Sequence, residues 1–138
     1  MKPLEIMEVA RVAVADDQDI VSARMRGRSM AIQLGFRSTD ATLIATAISE
    51  LARNILLYAK TGEVMISPIE RGDRRGLVVV ARDEGPGITD VARAMEDGFS
   101  TSGRLGLGLP GVRRLMDEFE VDSLPRRGTT VTVKKWIT

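Results

Sequence analysis

Between residues 39 and 59 the chain returns its apolar side chains at a helical interval, and no other run restricts the fold as strongly. Wound at about 100° per residue, Ile44, Ile48, Leu51 and Ile55 fall in one narrow stripe. Such a stripe must lie against a core, so the chain has to supply a second layer for this helix to cover. Arg53 and Lys60 are expected on the opposite side, in water. Glu50 and Asn54, four apart and therefore neighbours on the helix surface, sit along the flank of the stripe. Two explanations fit that partly buried edge. Either Glu50 pairs with a nearby arginine and Asn54 bonds a loop, as partly buried polar groups usually do, or the two serve a ligand.

The second layer is a sheet. "LEIMEVARVAVA" is β-branched and roughly alternating, which predicts a strand over 5–14. Asp16 or Asp17 caps a helix over 17–34 that carries Arg24 and Arg28 and stops near Gly35. Ser38 is the expected N-cap of the helix over 39–59. Strands over 63–70 and 76–83 follow, linked by the polar hairpin "ERGDRRG" with Gly72 and Gly76 as turn residues. A short helix is expected near 89–96, then a helix from Pro110 to about Phe119. The strands "FEVDSL" and "GTTVTVKKWI" close the chain as a last hairpin. The expected class is α+β: a two-layer α/β sandwich whose mixed, mostly antiparallel sheet carries helices on one face.

Composition narrows the chemistry. At 138 residues the chain is expected to be one domain with a sufficient core. Its net charge of +1 gives no electrostatic footprint for nucleic acid. No apolar run approaches about 18 residues and no signal-peptide pattern opens the chain, so no membrane role and a cytoplasmic location are expected. Cysteine and histidine are both absent. That removes thiol catalysis, Ser-His-Asp triads, most zinc sites and a phosphohistidine intermediate. Carboxylates, amides, hydroxyls, arginines and backbone must do the work.

Two glycine-rich stretches are candidates for it. In "DEGPGI", Asp83 ends an apolar strand where it can reach a ligand, and Gly85 and Gly87 let the backbone turn and approach that ligand closely. A plain strand-ending turn explains the same letters. In "GRLGLGLPG" three glycines run into a helix, and exposed amides at a helix N-terminus form an anion site suited to phosphate. The chain has no G-x-x-x-x-G-K-[ST], so this is not a P-loop. Gly106, Gly108 and Gly111 spell G-x-G-x-x-G, but no strand precedes them and no acid follows about twenty residues on, which excludes the dinucleotide fingerprint.

In order, these pieces are E-L-x-x-N on a helix, D-x-G-x-G after a strand, a glycine-rich segment before a helix, and G-T-T opening a last strand. The set resembles the Bergerat or GHKL ATP-binding fold of gyrase, the heat-shock chaperone ATPase, histidine kinases and MutL. More narrowly, "ISELARNI", "DEGPGI", "DGFSTSG", "GLPGVRRLMDEFEV" and "GTTV" are similar to switch serine/threonine kinases of the RsbT type, which act in the bacterial stressosome.

That resemblance implies Mg-ATP as phosphoryl donor, with Asn54 giving an amide oxygen to Mg²⁺ and Glu50 acting as the catalytic base. It implies Asp83 as acceptor of the adenine amino group, with Gly85 and Gly87 shaping the adenine pocket. Thr129 shares its strand face with Val131 and Val133, so it rather than Thr130 is expected to make the second adenine contact. Gly106 and Gly108 would give amides to the phosphates, with Arg104, Ser100, Thr101 and Ser102 as lid contacts. The implied partners are a STAS-domain antagonist or scaffold protein, which is phosphorylated, and a downstream output protein such as a PP2C-type phosphatase. An anti-sigma factor kinase and a nucleotide-gated binding module with little turnover are the rivals. One position departs from many relatives: Tyr58 stands where they carry His or Lys near the phosphates. The phosphoacceptor His of histidine kinases is also missing, which sets that branch aside.

Overall fold

The structure, a computed structural model, describes residues 9–85, 108–124 and 127–138. Its elements are β1 (Ala10–Val14), α1 (Asp17–Leu34), α2 (Ser38–Tyr58), β2 (Gly62–Arg71), β3 (Arg74–Asp83), α3 (Gly108–Leu115), β4 (Glu118–Leu124) and β5 (Gly128–Trp136). The expected helix near 89–96 and residues 5–8 of the expected first strand lie outside the described residues.

Both ends of α1 are fixed by local chemistry. The Asp16 side chain accepts from the Asp19 amide at 3.1 Å while the Asp19 carboxylate accepts from the Asp16 amide, a reciprocal capping box. At the other end Gly35 takes φ 107°, a left-handed conformation that glycine adopts without steric penalty. The start of α2 differs from expectation. Arg37, in extended backbone, is the N-cap and makes no side-chain cap, while Ser38 is already helical and its hydroxyl accepts from Arg28 at 3.1 Å. The hydroxyl is committed to tying α1 to α2.

The strands form one sheet in the order β1-β2-β3-β5-β4, and every described ladder is antiparallel. Along each strand alternate residues point to the helices: Val12 and Val14, Val64 and Ile66, Leu77, Val79 and Ala81, then Val131 and Val133, all buried. Against them lie Ile44, Ile48, Leu51 and Ile55 of α2, so the helical stripe meets its expected core. Each buried aliphatic of this kind contributes about 1.5–3 kcal/mol.

The buried arc of α2 is nevertheless wider than the stripe. Ala41, Ala45, Ala47, Ser49 and Ala52 are buried too, because α1 packs along one side of α2 and α3 packs on it as well. Their small side chains let the helices come close. Gly27 of α1 completes the fit, since a Cβ there would collide with Cδ1 of Ile48.

The β2–β3 hairpin is tighter than expected. Arg71 pairs with Arg74, leaving Gly72 and Asp73 as the turn, with Gly72 at φ 64°. Gly76 is therefore not a turn residue. It lies inside β3 opposite Trp136, where a Cβ would stand 2.8 Å from the indole ring. The space it leaves seats Trp136 on the face of the sheet away from the helices. Arg71 and Arg74 each stack 4.7 Å from the indole centroid, and the indole N–H donates to Glu118 at 2.6 Å. Arg71 also donates to both Glu118 oxygens, at 2.8 and 3.3 Å. Positive charge so close holds the Glu118 carboxyl below its ordinary range, the Arg71 hydrogen bond being the main cause and the indole N–H the next. The helix expected to reach Phe119 ends at Leu115, and Phe119 belongs to β4, where it pairs with Val133.

Candidate active site

Asp83 is the last residue of β3, and the sheet brings two separate parts of the chain to it. Across one ladder it faces Gly62 and across the other Thr129. Its Oδ1 accepts from the Gly85 amide at 2.9 Å, a local bond that fixes the carboxylate and leaves its second oxygen without a partner among the described residues. The surrounding glycines are required by packing. A Cβ at Gly128, which sits at φ 92°, would collide with the Asp83 carbonyl oxygen, and one at Gly85 would stand 2.5 Å from Cβ of Ala59. Backbone therefore closes on Asp83 from several sides, and Gly85 lies against the end of α2.

Thr129 lies on the helix-covered side of β5, as its alternation with Val131 and Val133 predicts. Its hydroxyl is 2.8 Å from that of Ser123, which in turn donates to the Gly128 carbonyl. Ser123 escaped sequence reasoning. Its only signal is its place in β4, where the register sets it directly opposite Thr129.

Glu50 and Asn54 stand on α2, which packs against both β3 and α3. Asn54 is half-buried and its amide has no hydrogen-bond partner among the described residues. Glu50 is more enclosed, its side chain 13% exposed, and its Oε1 accepts from Nη1 of Arg53 at 2.9 Å. Arg53 is thus not the solvated residue its helical angle suggests; it lies half-buried along Glu50. Lys60 is exposed but lies beyond the helix, at φ 72°. Gly108 opens α3 at φ 61°, and the turn behind it, Leu109 to Val112, is buried. Gly87, Arg104, Gly106, Ser100, Thr101 and Ser102 lie outside the described residues.

The half-buried amide and the carboxylate lie on α2, which packs against β3 and α3, and the acid held among glycines ends β3; all three are groups able to bind a polar ligand. Residues 39–137 match the model of the histidine kinase-, DNA gyrase B- and HSP90-like ATPases. The chain belongs to this ATPase family.

Within the ATPase family the chain is 52% identical over 126 residues to the serine/threonine-protein kinase RsbT of Bacillus subtilis strain 168, covering 91% of this chain and 95% of that protein. It is 34% identical over 121 residues to an anti-sigma F factor of Thermoanaerobacter sp. strain X514, covering 83% of each. Among solved structures, the RsbU and RsbW domains of a Mycobacterium tuberculosis protein align with TM-score 0.62 at 19% identity, over 94% of this chain and 32% of that longer one. The mycobacterial sensor histidine kinase MprB aligns with TM-score 0.56 at 15% identity, over 95% and 97%. These two show the ATPase fold itself: an antiparallel sheet covered by helices. No described helix is long and apolar enough to cross a membrane.

Proposed function

We propose that this chain is a cytoplasmic serine/threonine protein kinase of the partner-switching kind, using Mg-ATP to phosphorylate a STAS-domain antagonist of a stressosome-like assembly. Released by that reaction, it engages an output protein such as a PP2C-type phosphatase. The observation that carries the choice is the 52% identity to RsbT over nearly the whole of both chains, against 34% for the anti-sigma F factor.

The residues fit the roles. Asp83, oriented by the Gly85 amide, accepts from the adenine amino group, and Thr129, oriented by Ser123, makes the second contact in a pocket that Gly85 and Gly87 complete. Gly106 and Gly108 give amides to the phosphates, and Arg104 adds charge. Asn54 offers an oxygen ligand with no other engagement among the described residues. Those residues also hold no group of three or more acidic, His or Cys side chains able to make a metal site alone. A cation here takes most of its ligands from phosphate and water, which is the habit of Mg²⁺ and not of zinc. When bound, the metal neutralises charge on the phosphates. Glu50 takes the proton of the substrate Ser or Thr hydroxyl as its oxygen bonds to the γ-phosphorus and the bond to the bridging oxygen of ADP breaks.

Incubation with γ-labelled ATP, Mg²⁺ and a STAS-domain protein of the same genome tests the reading. Label on a Ser or Thr of that protein, with loss of binding once it is phosphorylated, is the expected result. Capture of a sigma factor in place of any STAS protein would turn the assignment to the anti-sigma class, and nucleotide binding without transfer would leave a gated binding module.

A further inference from the structure

The Glu50–Arg53 ion pair is not accounted for by nucleotide binding. Its two side chains are 13% and 30% exposed, so the contact at 2.9 Å is shielded from water far more than an ordinary helix-surface pair. On a helix of about 3.6 residues per turn, Arg53 lies roughly 60° to one side of Glu50 and Asn54 roughly 40° to the other. The guanidinium therefore grips the carboxylate from the side away from the amide assigned to the metal. It can hold Glu50 without disturbing nucleotide.

This arrangement matters for the proton. The hydrogen bond from Nη1 of Arg53 occupies Oε1 of Glu50 and orients the carboxylate toward the guanidinium. A base held in this way is poorly placed to activate a water molecule beside the γ-phosphate. Hydrolysis would need the water oxygen to bond to the γ-phosphorus, Glu50 to take its proton, and the bridging oxygen to leave with ADP, yielding ADP and inorganic phosphate. A kinase with a long-lived ATP complex must suppress that reaction while it waits for a hydroxyl.

We infer that Arg53 is a positioning residue that withholds Glu50 from water, so that ATP persists unhydrolysed until a docked protein substrate displaces the guanidinium from the carboxylate. The inference rests on the kinase reading and concerns the same site. Its test compares wild type, Arg53→Met, Arg53→Lys and the double variant Glu50→Gln/Arg53→Met in three measurements: calorimetric ATP affinity, ADP release without protein substrate, and melting temperature. Arg53→Met keeps the aliphatic stem and removes the charge. It should raise basal ADP release roughly five-fold or more, a part of the 10²–10⁴-fold that a general base contributes, with ATP affinity unchanged. Arg53→Lys, which retains a cation within reach, should give a smaller rise. In the double variant the rise should vanish, a dependence on Glu50 that a purely structural role would not produce. A basal rate in Arg53→Met equal to or below wild type overturns the inference. Should Arg53→Met melt below the assay temperature, Arg53→Gln is read by the same criteria. Failure of the kinase reading looks different: wild type would then bind no ATP or label no protein.

Discussion

Asp83 and Thr129 face each other across the β3–β5 ladder, both on the side the helices cover. The acid is steadied by the Gly85 amide and the hydroxyl by Ser123, so the orientation of each is set locally. Asp83→Asn replaces an acceptor-only carboxylate with a mixed amide. Wild type at a hundred-fold excess of nucleotide over Kd should gain about 2.7 kcal/mol of stability, and Asp83→Asn should gain none. Thermal melts with and without ADP and Mg²⁺ check this. Ser123→Ala should weaken affinity only a few-fold.

Substitutions at Glu50 and Asn54 should separate chemistry from binding. Glu50→Gln should leave ATP affinity within a few-fold while lowering phosphoryl transfer by roughly 10²-fold, the scale of a lost general base. Asn54→Ala should instead weaken the Mg²⁺-dependent part of binding. Titrations with and without Mg²⁺, set beside transfer rates, distinguish the two; equal loss of affinity in both variants would make Glu50 a structural partner only.

Gly128 is the backbone counterpart of the site. At φ 92° and in contact with the Asp83 carbonyl, it has no room for a Cβ. Gly128→Ala combines strained backbone with overpacking against main chain, so a loss of about 2 kcal/mol or more is expected in urea unfolding. Nucleotide affinity should fall with it, since the collision displaces Asp83. Gly72→Ala shares the positive φ but meets nothing within 4 Å, and should cost stability without affecting affinity.

Acid should loosen the far end of the sheet. Arg71 and the indole N–H hold the Glu118 carboxyl below the ordinary glutamate value of 4.5. A depressed folded-state pKa means the stabilisation is complete above the unfolded value and is lost as pH falls through the folded one. Below about pH 4.5 the unfolded chain binds more protons at this position, and Glu118→Gln should remove that part of the acid dependence. Melts between pH 6 and 3 for the two proteins test it; identical pH slopes would refute it.

How much of this is legible in the sequence depends on whether local chemistry or long-range register decides. Both ends of α1 are readable, because Asp16 with Asp19 and Gly35 satisfy helix termini on their own. The start of α2 misleads, since Ser38, a good cap in isolation, is taken by Arg28 from another element. Gly76 looks like a turn residue and is instead the floor beneath Trp136, a role visible only once β3 and β5 are aligned. Glu50, Asn54, Asp83 and Thr129, the residues proposed for the site, stand out by local context and by the family resemblance their motifs carry. Ser123 and Arg53 do not: one matters through a cross-strand neighbour, and the other lies at an angle that predicts water but is half-buried beside an acid.

The sheet order also ranks events in time. β2 and β3 meet through a two-residue turn, and only residues 125–127 separate β4 from β5, whereas residues 84–127 intervene between the paired ends of β3 and β5. Closing that span is the slow, entropically demanding step, and it alone brings Asp83 to Thr129. It also brings Trp136 against Arg71 and Arg74, which come from the other hairpin. Affinity for nucleotide should therefore be the last property a refolding chain acquires, emerging together with the change in the emission of its single tryptophan. A nascent chain that has not yet released its final strand has one complete hairpin, an unpaired β4 and no Thr129 opposite Asp83.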